Sequence, residues 1–152
     1  MPDLIGRVAV VTGAAGGIGL AVCRRLQHDG AHVWGLDVQE SADLGAGIDY
    51  LPADLTDADS VLAAAAHIEE KAGHVDVLAA SAGIVENDVP VAEMTVATFD
   101  QVTVNLRGVF VTCRAFVPAM IKRREGRIVT IASMSGNAVV NVPQRQAACN
   151  AS

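Results

Sequence analysis

The sequence predicts an α/β fold: a doubly wound parallel sheet with helices on both faces, three layers deep. Three observations predict it. Short apolar runs (Val8 to Val11, Ala31 to Asp37, Ile48 to Ala53, Val75 to Ala79 and Arg127 to Ala132) alternate with stretches of helical period, the order that crossover helices impose on a parallel sheet. The runs are largely continuous, as in strands covered on both faces. Hydrophobic residues make up 51% of the chain but aromatic residues only 3%, so the core must be built from Ala, Val, Ile and Leu. No linker, repeat or low-complexity stretch divides the 152 residues, and 1–152 is read as one domain large enough to bury a core.

The first strand runs into a glycine-rich turn and then a helix, Gly19 to His28, with Leu20, Cys23 and Leu26 at helical spacing. A side chain at Gly13 would obstruct the tight turn. One at Gly17 would keep the backbone from a pyrophosphate, and one at Gly19 would hold the helix off the strand. The turn ends at a helix N-terminus, whose free N–H groups and dipole favour an anion. Glycines also mark ordinary turns, but strand, turn and helix in this order read as a dinucleotide cradle. A kinase-like phosphate loop needs a Lys in the turn, and the only lysines are Lys71 and Lys122.

Gly30 stops that helix and the second strand closes on Asp37. A carboxylate at this place binds the ribose 2′-hydroxyl of an adenosine. It would repel a 2′-phosphate, and Ala14, Ala15 and Val38 supply no Arg to attract one, so NAD is expected over NADP. Gln39 to Gly47 reads as a loop and Ile48 to Ala53 as a third strand, followed by Asp54-Leu55-Thr56-Asp57. Thr56 or Asp57 can cap the next helix, Ala58 to Ala72, which ends at Gly73. Asp54 is either a further cap or a group on the adenine side of the cleft. The fourth strand ends in Ser81-Ala82-Gly83, small enough to let a cofactor pass close to the backbone.

Asn87 to Met94 is expected to be a loop. One long helix is then expected from Thr98 to Met120 or Lys122, with Phe99, Val102, Leu106, Val109, Phe110, Cys113 and Val117 on its apolar face. Asn105 falls inside that pattern, where Asn is a poor helix former and calls for a reason. Lys122, Arg123 and Arg124 complement the dipole at the helix end. The fifth strand leads to Ser133-Met134-Ser135-Gly136.

A net charge of −6 and a pI of about 5.0 argue against nucleic acid or an anionic membrane as the main partner. No run reaches the length of a membrane span, and no basic region precedes an apolar one at the start, so the expected location is the cytoplasm. Cys23, Cys113 and Cys149 lack metal or redox spacing, and no metal site is expected.

With these residues in place, the chain resembles the short-chain dehydrogenase/reductase family in its compact form. The resemblance rests on Thr12-Gly13-Ala14-Ala15-Gly16-Gly17-Ile18-Gly19, Asp37, Asp54-Leu55, Ser81-Ala82-Gly83 where the family has N-A-G, Asn105, and Ile131-Ala132-Ser133. It implies a Rossmann-type sheet, with five of the usual seven strands present. It also implies NAD-dependent hydride transfer at a carbinol or carbonyl carbon of a small-molecule alcohol or ketone, and a homotetramer. Thr12, Gly13, Gly16, Gly17, Ile18, Gly19, Asp37, Asp54, Leu55, Ser81, Ala82 and Gly83 would then hold the cofactor. Ser133 would orient the substrate oxygen, and Asn105 would anchor a proton-relay water.

The family's Tyr-x-x-x-Lys should follow Ser133, yet the only tyrosine is Tyr50 and no lysine follows Lys122. One register places Gln146 and Asn150 at the Tyr and Lys positions. The other, which keeps more of the local wording, matches Gln146 to Ser152 to Q-A-A-Y-N-A-S, with Cys149 in the Tyr position. On that register the chain is expected to be the N-terminal three-fifths of such an enzyme and inactive as it stands. The alternative expectation is a non-catalytic dinucleotide-binding or regulatory protein of the same fold.

Overall fold

A computed structural model describes residues 4–85, 89–90 and 92–132. Its elements are β1 (Val8–Thr12), α1 (Gly17–His28), β2 (His32–Asp37), β3 (Ile48–Pro52), α2 (Ala58–Ala72), β4 (Val77–Ala80), α3 (Val96–Val102), α4 (Val104–Arg123) and β5 (Arg127–Thr130). The strands form a single parallel sheet in the order β3-β2-β1-β4-β5. The chain winds outward from β1 in both directions, so the order reverses between β1 and β4. In open sheets of this kind the crevice for a ligand lies at that reversal, outside the carboxyl ends of the strands.

The two faces of the sheet are read directly from alternate residues of β1. Val8 and Val10 face a core that includes Trp34, Leu36, Ile68, Leu78, Phe116 and Met120, beneath α2 and α4. Ala9 and Val11 face Ala14, Cys23, Val33, Leu44 and Ala79, beneath α1. Val10, Val11, Val33, Leu36 and Leu78 are fully buried, each side chain contributing about 1.5–3 kcal/mol by leaving water. This double burial is the reason the runs are continuous in the sequence.

Local signals end the helices where the composition suggests. Asp57 caps α2 by accepting from the Asp59 N–H, and Gly73 follows its end at a φ of +79°. The loop between β2 and β3 carries no helix, as expected.

The long helix expected from Thr98 is instead two helices, broken at Thr103. The Thr103 hydroxyl donates to the Asp100 carbonyl at 2.6 Å, the side-chain competition that makes Thr a poor interior residue. The expected apolar face is also displaced. Leu106 and Phe110 are 60% and 64% exposed, whereas Gly108, Val111, Thr112, Phe116 and Met120 are buried. Gly108 decides the side: a Cβ there would stand 3.2 Å from Leu55, so the bare backbone is what lets α4 seat closely. Thr112 joins the buried face because its hydroxyl is satisfied by the Gly108 carbonyl at 2.7 Å. Among the described residues, α4 alone has the length and mean hydropathy of a membrane span. Here one side of it serves as a layer over the sheet.

Candidate functional site

The carboxyl ends of β1, β2 and β4 converge on one cleft. Thr12, at the end of β1, is buried, and its Oγ1 accepts from the N–H groups of both Ser81 and Ala82, each at 3.1 Å. That bond pair draws the end of β4 against the glycine turn. Gly13 has a φ of +68°, and a Cβ on it would lie 2.7 Å from the Ala82 Cα, so no other residue fits without moving β4. A Cβ on Gly19 would overlap the Gly13 carbonyl oxygen, while one on Gly17 would meet nothing. The first two therefore close the turn against its neighbours, and Gly17 leaves its space open at the start of α1. The helix is capped there by Gly16, which has no side chain to cover the free N–H groups.

Asp37 ends β2 on the rim of this turn. Its Oδ2 accepts from the Ala15 N–H at 3.0 Å, and its Oδ1 accepts from Gln39 at a long 3.4 Å. Two adjoining hollows share Gly13, Asp37 and Gly83. One, of about 270 Å³, is bounded by Gly16, Gly17, Ile18, Gly19 and Ser81. The other, of about 490 Å³, is bounded by Leu36, Val38, Ala53, Asp54, Leu55, Thr56, Ala82, Ile84, Gln101 and Val104. Among the described residues, no Lys or Arg lines either hollow. Together they form an elongated cleft with an anion-favouring helix start at one end and an apolar chamber at the other. The Ser81 Oγ is buried without a hydrogen-bond partner among the described residues, an uncommon state for a hydroxyl at a wall of the smaller hollow.

The remaining expected residues divide. Asp54 lines the larger hollow, and its Oδ1 is occupied by the Thr56 N–H and hydroxyl at 2.8 and 2.7 Å. It therefore makes a local turn while lining the cleft, and the cap of α2 is Asp57 rather than Asp54. Leu55 turns most of its side chain into a core with Val61 and Val111. Asn105 lies in the first turn of α4. Its Oδ1 accepts from the Ile84 N–H at 2.8 Å and its Nδ2 donates to the Ile84 carbonyl at 2.9 Å. Both ends of the amide are thus committed to the strap that follows β4, which accounts for an Asn at this place in a helix. Gly83 belongs to the same contact, since a Cβ there would sit 2.9 Å from the Asn105 Oδ1. Ser133 and Cys149 lie outside the described residues. Val38, Ile84, Gln101 and Val104 line the cleft without any sequence signal having marked them. Among the described residues, no cluster of His, Cys, Asp or Glu could hold a metal ion.

A dinucleotide fits this geometry on three counts: the turn admits no Cβ at Gly13 and Gly19, the helix start faces the smaller hollow, and an acceptor-only carboxylate stands between the two hollows. Comparison with known proteins points the same way. Residues 7–148 match the family model described as short chain dehydrogenase. Galactitol 2-dehydrogenase (L-tagatose-forming) of Cereibacter sphaeroides is 42% identical over 149 residues, which are 93% of this chain and 58% of that protein. 2-Dehydro-3-deoxy-L-rhamnonate dehydrogenase (NAD(+)) of Sphingomonas sp. strain SKA58 is 40% identical over 137 residues, 86% of this chain and 55% of that one. The crystal structure of gox2181 superposes with a TM-score of 0.90 at 38% identity, covering 98% of this chain and 62% of its own. The chain thus spans a little over half the length of these curated relatives. On the strength of the family match and of the parallel sheet that carries it, the chain belongs to the short-chain dehydrogenase family.

Proposed function

We propose that the cleft binds NAD in preference to NADP and that the protein belongs to an oxidoreductase acting on a CH–OH group of a small alcohol or polyol, or on the corresponding ketone. The observation that carries the reading is the Asp37 carboxylate, held on the cleft rim with no cation beside it among the described residues. Two ribose hydroxyls can donate to it, whereas a 2′-phosphate would meet a like charge. Gly13, Gly16, Gly17, Ile18 and Gly19, with Thr12 behind them, would take the pyrophosphate. Asp54 and Leu55 would border the adenine, and Ser81, Ala82 and Gly83 the nicotinamide ribose.

When bound, the nicotinamide would accept or return a hydride at the substrate carbon. The chain's own contribution is positional. Asn105 fixes the Ile84 strap along the cleft, and Ser133 would hydrogen-bond the substrate oxygen. Cys149 would stand where relatives in the family place a Tyr acid/base. A thiol differs from a phenol in reach and acidity and serves that role poorly, and loss of such a group costs about 10²–10⁴-fold. These 152 residues are therefore expected to bind the cofactor without appreciable turnover. A homotetramer and a cytoplasmic location accord with the same reading.

A second reading, a non-catalytic dinucleotide-binding protein, is favoured by one observation: the only tyrosine of the sequence, Tyr50, sits on β3. Calorimetric titration with NAD and NADP, followed by an NADH absorbance assay over polyols and secondary alcohols, tests both. Saturable binding that prefers NAD supports the cleft assignment, and no binding to a folded sample refutes it. Turnover by a form of the chain carrying Cys149→Tyr and a following Lys would decide for the oxidoreductase, and its absence would favour the second reading.

A further inference from the structure

Tyr50 was not marked by any motif, yet its hydroxyl reaches the segment that presents Asp37. It stands on β3, at the edge of the sheet opposite β5 and in register with Gly35 of β2. Its ring packs half-buried with Ala42 and Leu44 against the core beneath α1. From there the phenol donates to the Gln39 carbonyl, with the Asp37 carbonyl at a longer 3.5 Å. The Gln39 N–H in turn points to the Asp37 Oδ1. Gln39 is thus held at both its amide hydrogen and its carbonyl. Asp37 is held at its carbonyl by the Ala53 N–H at 2.7 Å and at its Oδ2 by Ala15. Between them Val38, 67% exposed, forms part of the cleft wall. Among the described residues, Tyr50 is the side chain from outside the turn 37–39 that bonds to it.

We propose that Tyr50 is a positioning residue for cofactor selection: its hydroxyl fixes the Asp37-Val38-Gln39 turn so that the Asp37 carboxylate meets the ribose hydroxyls of NAD. The inference rests on the NAD reading of the cleft. The phenol remains protonated and able to donate under ordinary conditions, because burial and the charges of Asp37 and Glu40 push its ionisation upward. Loss of one such hydrogen bond is worth roughly a 3- to 10-fold change in an equilibrium. Because a 2′-phosphate gains nothing from Asp37, that loss falls on NAD and not on NADP.

The test is calorimetric titration of the 152-residue chain, Tyr50→Phe, Asp37→Asn and the double variant with NAD and NADP. Phe keeps the ring and its packing, so circular dichroism should be unchanged. The inference predicts that Tyr50→Phe raises the Kd for NAD about 3- to 10-fold, leaves that for NADP within about twofold, and adds nothing in the Asp37→Asn background. Equal weakening of both nucleotides, or no weakening, would overturn it, while loss of NAD preference in Asp37→Asn would leave the cofactor reading standing. Retention of that preference in Asp37→Asn would sink the reading and the inference together. Should Tyr50→Phe not fold, the single tyrosine offers a second measurement. Fluorotyrosine then labels residue 50 alone, and its fluorine resonance should shift on saturation with NAD. An unmoved resonance would count against the proposal.

Discussion

Asp37 and Asp76 stand at opposite ends of the same sheet and are treated in opposite ways. Asp37, at the carboxyl end of β2, receives backbone N–H groups and, among the described residues, no cation, and it lines the cleft. Asp76, just before β4 at the amino end, is 4% exposed. It accepts from the Val8 N–H at 3.0 Å, from Arg123 at 3.0 Å and from Arg7 at 3.3 Å, with the His74 ring at 3.1 Å. Arg7 continues to Glu125 at 2.6 Å, so this network ties β1, β4, the end of α4 and the lead into β5 together. Burial alone would raise the Asp76 pKa, but the Val8 N–H and the charges of His74, Arg7 and Arg123 outweigh it and hold the carboxyl below its usual range. One end of the sheet has spent its carboxylate on the fold. At the other end the carboxylate has few protein partners among the described residues, which leaves it available to the ligand proposed for the cleft.

The comparison can be broken at either end. The largest effect is expected from Gly19→Ala, where the new Cβ overlaps a backbone oxygen that cannot swing aside. It should destabilise the chain by about 1–3 kcal/mol or more and abolish NAD binding in calorimetry. Gly17→Ala, whose Cβ meets open space, should leave the denaturation midpoint nearly unchanged while weakening NAD. If the two variants behaved alike, the division of labour within the turn would be wrong.

Asp76→Asn should cost about 1.5–3 kcal/mol in urea denaturation, with the NAD affinity of the folded fraction unchanged. The pH dependence sharpens this. Because the folded pKa is depressed, the contribution is complete above the unfolded value of about 3.9 and is lost as pH falls through the lower folded value. Urea midpoints measured downward from neutral pH should therefore drop more steeply for the parent chain than for Asp76→Asn.

At the other end, Asp37→Asn should leave the urea midpoint nearly intact and weaken NAD roughly tenfold, with the NADP affinity rising or level. A stability loss as large as that of Asp76→Asn would erase the contrast. The smallest effect is expected at β5, the outermost strand on its side of the sheet among the described residues, whose Val129 is 54% exposed. Val129→Lys should change stability by no more than about 0.5 kcal/mol while reducing aggregation in light scattering, since a charge blunts an open edge.

What the sequence revealed follows the range of the forces involved. The strand, glycine turn and helix at residues 8–28 are local, and Asp37 follows them in the adjacent strand, so both were legible from spacing. The break at Thr103 turned on one hydroxyl against a long apolar pattern, and the buried side of α4 was set by Gly108 meeting Leu55, a contact between distant segments. Asn105 was marked by its odd place in a helix and by the family resemblance, but its partner Ile84, 21 residues away, was not. The Asp76 network was not legible at all. Its partners Arg7 and Arg123 are 69 and 47 residues distant, and nothing in the run VDVLA distinguishes a charge clamp from an ordinary strand end.

The most direct measurement is amide hydrogen exchange of the chain with and without saturating NAD, read segment by segment. Ligand binding at the carboxyl edge predicts slowed exchange in 13–19, 37–39 and 81–84, and unchanged exchange in 74–77 and 124–127. Protection confined to the amino edge, or none at the glycine turn while NAD binds, would contradict it.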